Sequence, residues 1–185
     1  MPLDVLADLD VVTPADVSPQ PWANGLGTTR VLVERLAWRV SIAEVRGRMP
    51  FSLLPGIDRI LIPLTEPALT LMVDGVDHRV TSAAGLAFAG EAHAIAATGG
   101  RAVSVLNVMT RRALARTTWR IETHRGPFAV DPADTLTALV AGAARLDGIP
   151  LPLGSVLPTG SRPRALECAD ALIARFRVSP ADAPQ

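Results

Sequence analysis

Residues 21–34 read PWANGLGTTRVLVE, and whether its glycines open a helix or a strand decides the kind of fold. A phosphate loop works because a glycine turn delivers the chain into a helix N-terminus, whose free N–H groups and dipole hold the anion. Here Gly25-Leu26-Gly27 runs instead into Thr-Thr-Arg-Val-Leu-Val, whose β-branched residues fit a strand over 28–34. No lysine follows, and no third glycine stands in register for a dinucleotide fingerprint. The stretch introduces a β-protein and not a nucleotide fold.

Moving outward, the chain keeps that character. Trp38 to Val45 (WRVSIAEV) alternates, with Trp38, Val40 and Ile42 on one face and Arg39, Ser41 and Ala43 on the other. Pro55-Gly56 marks a turn before a strand at Arg59 to Leu64. Leu69 to Val73 and His78 to Val80 flank Asp74-Gly75, a type I′ hairpin signal. Gly85 to Ala89 and Arg101 to Thr110 complete the first series. Residues 111–116 (RRALAR) suit a short helical connector. Thr117 to Thr123 and Leu136 to Ala141 follow as strands, then a turn at Asp147-Gly148 and a Pro-rich stretch from Ile149 to Pro158. Leu166 to Val178 fits a helix or a strand. Many short strands with turn punctuation mean a sandwich or barrel. The best division falls near residue 115.

Composition narrows the function classes. Of the 185 residues 49% are hydrophobic and 19% charged, which predicts a packed globular protein. The apolar runs fall short of the ~18–20 residues of a membrane span. The acidic N-terminus shows no signal peptide, and the single cysteine, Cys168, forms no internal disulfide, so the cytoplasm is the expected compartment. Net charge is zero, which argues against nucleic acid or membrane as partner; a homodimer is left open. All 18 basic residues are arginine, and tyrosine is missing too. Schiff-base lysine, P-loop lysine and tyrosine acid chemistry are thereby excluded.

Only two asparagines occur, Asn24 in the glycine loop and Asn107 in VLNVM. The strand around Asn107 is apolar on both faces, so it should be buried on both sides. A buried amide left unpaired costs about 1–3 kcal/mol, so Asn107 needs partners, either loop backbone or a ligand.

Five motifs then come in order: W-x-N-G-x-G-x-T-R at 22–30, W-R-x-S-x-A at 38–43, P-F-S-x-x-P-G-x-D-R at 50–59, F-x-G at 88–90 and N-V-M at 107–109. Together they resemble the HutD/Ves family over about residues 11–112. The resemblance implies an all-β, cupin-like two-barrel (bicupin) fold with few short helices. Residues 1–115 would form the N-terminal barrel, and 116–185 a smaller C-terminal β half packed on it. It also implies a bacterial protein linked to histidine utilisation or stress response, binding a small molecule and without established catalysis. Three positions depart from the pattern: Met49 replaces a glycine, Val105 an acidic residue, and Thr65-Glu66 a glycine-containing turn. The ligand need not be the family's usual one.

Site chemistry follows from the residue types present. The three histidines, His78, His93 and His124, form no H-x-H pair, and no metal or other cofactor is expected. Glu91-x-His93 and Glu122-x-His124 would each share a strand face, and solvated pairs are the commoner outcome. Arg59 at a strand mouth can grip a carboxylate bidentately, with Asp58 or a carbonyl orienting it. Arg39 and Ser41 share a face that would line the same barrel. Trp22 and Asn24 would close its mouth, and Asn107 would supply amide hydrogen bonds. Against this stand an Arg59–Asp58 ion pair, a core role for Asn107 and simple packing of the tryptophans. Arg111, Arg112, Arg116, Arg120 and Arg125 suit a solvated face better than a basic patch. The expectation is an accessory protein binding a small anionic metabolite, plausibly from histidine breakdown, rather than an enzyme. The alternative is a metal-independent cupin isomerase or lyase, with Glu91 and His93 as the acid–base candidates.

Overall fold

The structure is a computed structural model that describes residues 11–22, 27–64, 68–159 and 164–181. Two antiparallel sheets dominate it, with 68% of it in strands. The first contains β1 (Gln20–Pro21), β2 (Thr28–Glu34), β3 (Trp38–Pro50), β4 (Ile57–Pro63), β5 (Leu69–Val73), β6 (Val76–Val80), β7 (Leu86–Ala89) and β8 (Ala94–Arg111). Its strands run β1-β2-β3-β8-β4-β7, with β5 joining β8 to β6. The second contains β9 (Ala115–Ala129), β10 (Leu136–Leu146), β11 (Ile149–Pro150), β12 (Val156–Pro158) and β13 (Ala165–Pro180), in the order β11-β10-β13-β9 with β12 on β10. Neither hydrogen-bonded path returns on itself, so the barrel expected from the sequence is realised as two open sheets.

Central to the first sheet is β8. One edge pairs with β3 along most of its length; the other pairs with β5 near its start and β4 near its end. The β3–β8 register slips between Arg46 and Arg48. Gly47, Gly99 and Gly100 all have positive φ there, and the Gly47 N–H donates to Thr98 Oγ1 at 2.8 Å. Only glycine takes such backbone cheaply. Because this bulge interrupts the alternation, the sequence pattern ends β3 at Val45 and starts β8 at 101, although both strands continue.

Among the described residues the single helical piece is a three-residue 3-10 turn at Pro14–Asp16, fewer helices than expected. The proposed connector at 111–116 is instead a turn, closed by the Leu114 N–H to the Arg111 carbonyl at 2.9 Å, from which β9 leaves at once. Leu166 to Val178 is strand: β13 is paired on both edges, by β9 and β10. No described helix is long and apolar enough to cross a membrane.

Alternation sorts the side chains into three cores. Val40 and Ile42 of β3, Ile60 and Ile62 of β4, and Leu106 and Val108 of β8 point toward the second sheet. There they meet Leu136, Ala138, Val140, Ala174 and Phe176 in one shared cluster. The opposite face of the first sheet gathers Ala43, Val45, Leu61, Leu71, Val103 and Val105. A third cluster, with Phe128, Leu139, Leu166 and Ile173, belongs to the second sheet. The candidate site lies at the end of the second of these cores.

Candidate ligand-binding site

Register builds the site. Arg39 of β3 and Arg59 of β4 both lie opposite Met109 of β8; one step along, Ser41 and Leu61 both lie opposite Asn107. Alternation turns all of these side chains to the face bearing the second core. All but Leu61 line a cavity of about 180 Å³ with Trp22, Thr29, Ala43, Phe51, Ser52 and Leu54. Five of the six residues singled out from the sequence, Trp22, Arg39, Ser41, Arg59 and Asn107, are thus brought together. Asn24 lies outside the described residues.

Arg59 is only 3% exposed. It donates from Nη2 to Asn107 Oδ1 at 3.3 Å, and its buried Nε has no partner. The Phe51 and Phe88 ring centroids lie 4.6 and 5.1 Å from its Cζ. Burial, and then the neighbouring Arg39 charge, push its pKa down from the usual arginine value to about 10. Arg39 in turn donates to Met109 Sδ at 3.6 Å, a weak and neutral acceptor. No acid among the described residues pairs with Arg59.

Asp58 does not orient Arg59. Adjacent strand residues point to opposite faces, and Asp58 instead accepts from Arg112 Nε at 2.8 Å. Arg112 also grips Glu91 at 2.8 Å, which holds the Glu91 carboxyl down at about 2. Glu91 and His93 sit at a turn and not on a strand face, and neither lines the cavity. Among the described residues no group of three His, Cys, Asp or Glu side chains is placed to hold a metal ion. The arginines at 112, 116, 120 and 125 each hold an acid or a carbonyl, so they form no free basic patch.

The sequence reading gave no role to Phe51, Ser52, Phe88 or Met109, although all four lie within the quoted motifs. Which of them reach Arg59 depends on long-range pairing and on the path of the 51–56 segment. A second hollow of about 200 Å³ adjoins the first, sharing Arg39, Leu54 and Met109 with it and adding Glu34, Arg35, Trp38, Ile57 and Arg111.

Two open sheets of this topology, with an arginine-lined cavity on the face of the first that turns away from the second, define a cupin-fold protein. The chain belongs to the HutD family, whose model matches residues 14–153. It is 36% identical over 101 residues to the Ves protein of Citrobacter koseri, a match covering 49% of this chain and 52% of that one. An uncharacterised 21.2 kDa protein from the hutC 3′ region of Pseudomonas putida is 28% identical over 130 residues, 65% of this chain and 68% of that one. The chain thus spans about half the length of the Citrobacter relative. HutD from Pseudomonas fluorescens shares the fold at a TM-score of 0.72 and 18% identity, covering 91% of this chain and 98% of its own. A cupin 2 conserved barrel domain protein from Leptotrichia buccalis does so at 0.59 and 11%, covering 91% and 100%.

Proposed function

We propose that this chain is a small-molecule-binding accessory protein whose first-sheet cavity takes a metabolite through its carboxylate, without catalysis. One observation carries the reading: Arg59 is buried, charged at neutral pH and without an acidic partner among the described residues. A buried cation that is not paired costs stability. Such a cost is sensible where an anion arrives to meet it. Arg59, Asn107 and Ser41 line the same cavity, and a guanidinium with amide and hydroxyl neighbours suits a two-oxygen acceptor.

The hutC neighbourhood of the Pseudomonas putida relative and the HutD family itself support a place in histidine utilisation. HutD from Pseudomonas fluorescens was solved in a formate condition, formate being the smallest carboxylate. An isomerase or lyase would need a general base at the cavity. The described lining residues include no carboxylate, imidazole or thiol, which favours binding over catalysis.

The test is thermal unfolding with formate, acetate and the carboxylate intermediates of histidine breakdown, against chloride at equal ionic strength. A bound carboxylate at a hundred times its Kd should stabilise the chain by about 2.7 kcal/mol. Arg59→Met should abolish that gain. Equal stabilisation of wild type and variant would dispose of the assignment.

A further inference from the structure

Buried arginines are ordinarily held in place by carboxylates, which also cancel their charge. Arg175, in the second sheet, follows that rule, contacting Asp134, Asp131 and Glu122 at 2.5, 2.8 and 3.3 Å. Arg59 does not, yet a side chain with four rotatable bonds must be fixed if it is to present its donors in one direction. What the structure offers there is aromatic. Phe88 of β7 lies directly opposite Arg59 in the β4–β7 register, on the side away from Met109. Phe51 comes from the segment after β3, anchored by its N–H to the Ala94 carbonyl at 2.9 Å. Both rings lie within cation–π range of the guanidinium, 4.6 and 5.1 Å from Cζ. Trp22 packs on Phe51 at 6.2 Å between centroids.

We propose that Phe51 and Phe88 are positioning residues that hold the Arg59 guanidinium by ring contact in place of an acid. A ring face attracts the cation without neutralising it, and it occupies none of the N–H donors. The arginine is therefore oriented while its charge stays available to an anion. An acid in either position would do the orienting and lose the site, because the anion would have to displace it. The simpler view is that both rings only fill the second core, against whose cluster they also pack.

A double-mutant cycle on the unliganded chain separates the two. The urea midpoint is measured for Phe51→Leu and Phe88→Leu, each in the wild-type and the Arg59→Met background. Ring-held arginine predicts a clearly smaller midpoint loss in the Arg59→Met background, and near-wild-type behaviour for Phe51→Tyr, which keeps the ring. Equal losses in both backgrounds would overturn the proposal. If Phe51→Leu does not fold, Phe88→Leu decides alone. A second arm rests on the carboxylate reading and titrates sodium acetate by tryptophan fluorescence. Phe51→Leu should weaken acetate binding at least fivefold, whereas Phe51→Tyr stays within twofold. Fivefold loss in both variants would also count against ring contact. Failure of the wild type to bind acetate or any carboxylate would sink the function and leave the cycle to judge the rings.

Discussion

Arg59 and Arg175 both carry a guanidinium out of bulk water, and what balances each sets what its loss should do. Arg175→Met would strand Asp134, whose side chain is 2% exposed, with only Arg177 at 3.9 Å. Breaking a buried pair in this way typically costs about 3–5 kcal/mol, which urea unfolding would register. Arg59→Met removes a buried charge that has no acid to lose. Unliganded stability should hold within about 1 kcal/mol or rise. Asn107→Leu should behave alike if the amide serves a ligand, and lose about 1–3 kcal/mol if it pins the fold. The lowered pKa of Arg59 gives a second measurement. The folded chain holds this proton less tightly than the unfolded chain, so the penalty is full below about pH 10 and fades as pH rises beyond it. Anion binding needs the proton, so carboxylate affinity should be flat from pH 7 to 9 and fall through about pH 10. With no lysine or tyrosine in the sequence, few other groups titrate in that window. Affinity unchanged at pH 11 would show that the folded chain holds the Arg59 proton as tightly as the unfolded chain does. Of the five cavity residues, Arg39, Ser41 and Asn107 were legible from alternation, because period two sends Arg39 with Ser41 and Asn107 with Val105 to one face. Arg59 and Trp22 were legible from their places beside a Pro-Gly turn and a glycine loop. That Asp58 leaves Arg59 for Arg112 was legible by the same rule, but an ion pair between sequence neighbours looked cheaper than a partner 54 residues away.

Strand identity was legible where alternation is unbroken and both ends carry turn residues. The boundaries of β2 and β5 coincide with those read from the sequence, as does the Asp74-Gly75 turn between β5 and β6. Strand extent was not legible for β3 and β8, since their shared bulge looks in sequence like two strand ends. Nor was β13, whose alanine-rich run satisfies either period until β9 and β10 take up its two edges. The wall of the cavity shows how an element depends on one atom. Gly90 follows β7, its N–H reaching the Ile57 carbonyl at 2.6 Å while its carbonyl accepts from the Leu54 N–H at 2.7 Å. A Cβ there would stand 2.4 Å from the Leu54 oxygen and 2.8 Å from that of Ile57. Both are backbone atoms that cannot swing aside. This is the physical content of the F-x-G motif at 88–90. Gly90→Ala should push the 51–57 segment outward, carrying Phe51, Ser52 and Leu54 with it. We expect a stability loss of about 1–3 kcal/mol and a red shift in tryptophan emission as Trp22 loses the Phe51 ring. Unchanged emission and unchanged carboxylate binding would mean that the segment does not shape the site.

At the scale of the whole molecule the question is whether two sheets make two folding units. The chain passes from the first sheet to the second between β8 and β9, yet one core draws on both sheets. Val40, Ile42, Ile60, Ile62, Leu106 and Val108 on one side face Leu136, Ala138, Val140 and Phe176 on the other. Val12, upstream of the first sheet, bridges Val156 of the second. A cut at 115 would bare both halves of this layer, and burying each large aliphatic side chain is worth about 1.5–3 kcal/mol. Against a total stability of about 5–15 kcal/mol for a typical domain, neither half should keep its fold alone. The chain should therefore unfold as one cooperative unit. Trp22 reports on the first sheet's cavity, and Trp119 of β9 packs against the shared core. In variants with Trp38 and one of these two replaced by phenylalanine, the urea midpoints relative to each variant's far-ultraviolet circular dichroism should coincide. A Trp22 transition well separated from that of Trp119 would show two units that merely touch. Because Arg59 and Asn107 lie on strands whose other faces feed the shared core, coincidence has a further consequence. Ligand bound in the first-sheet cavity should then raise the Trp119 midpoint as much as the Trp22 midpoint.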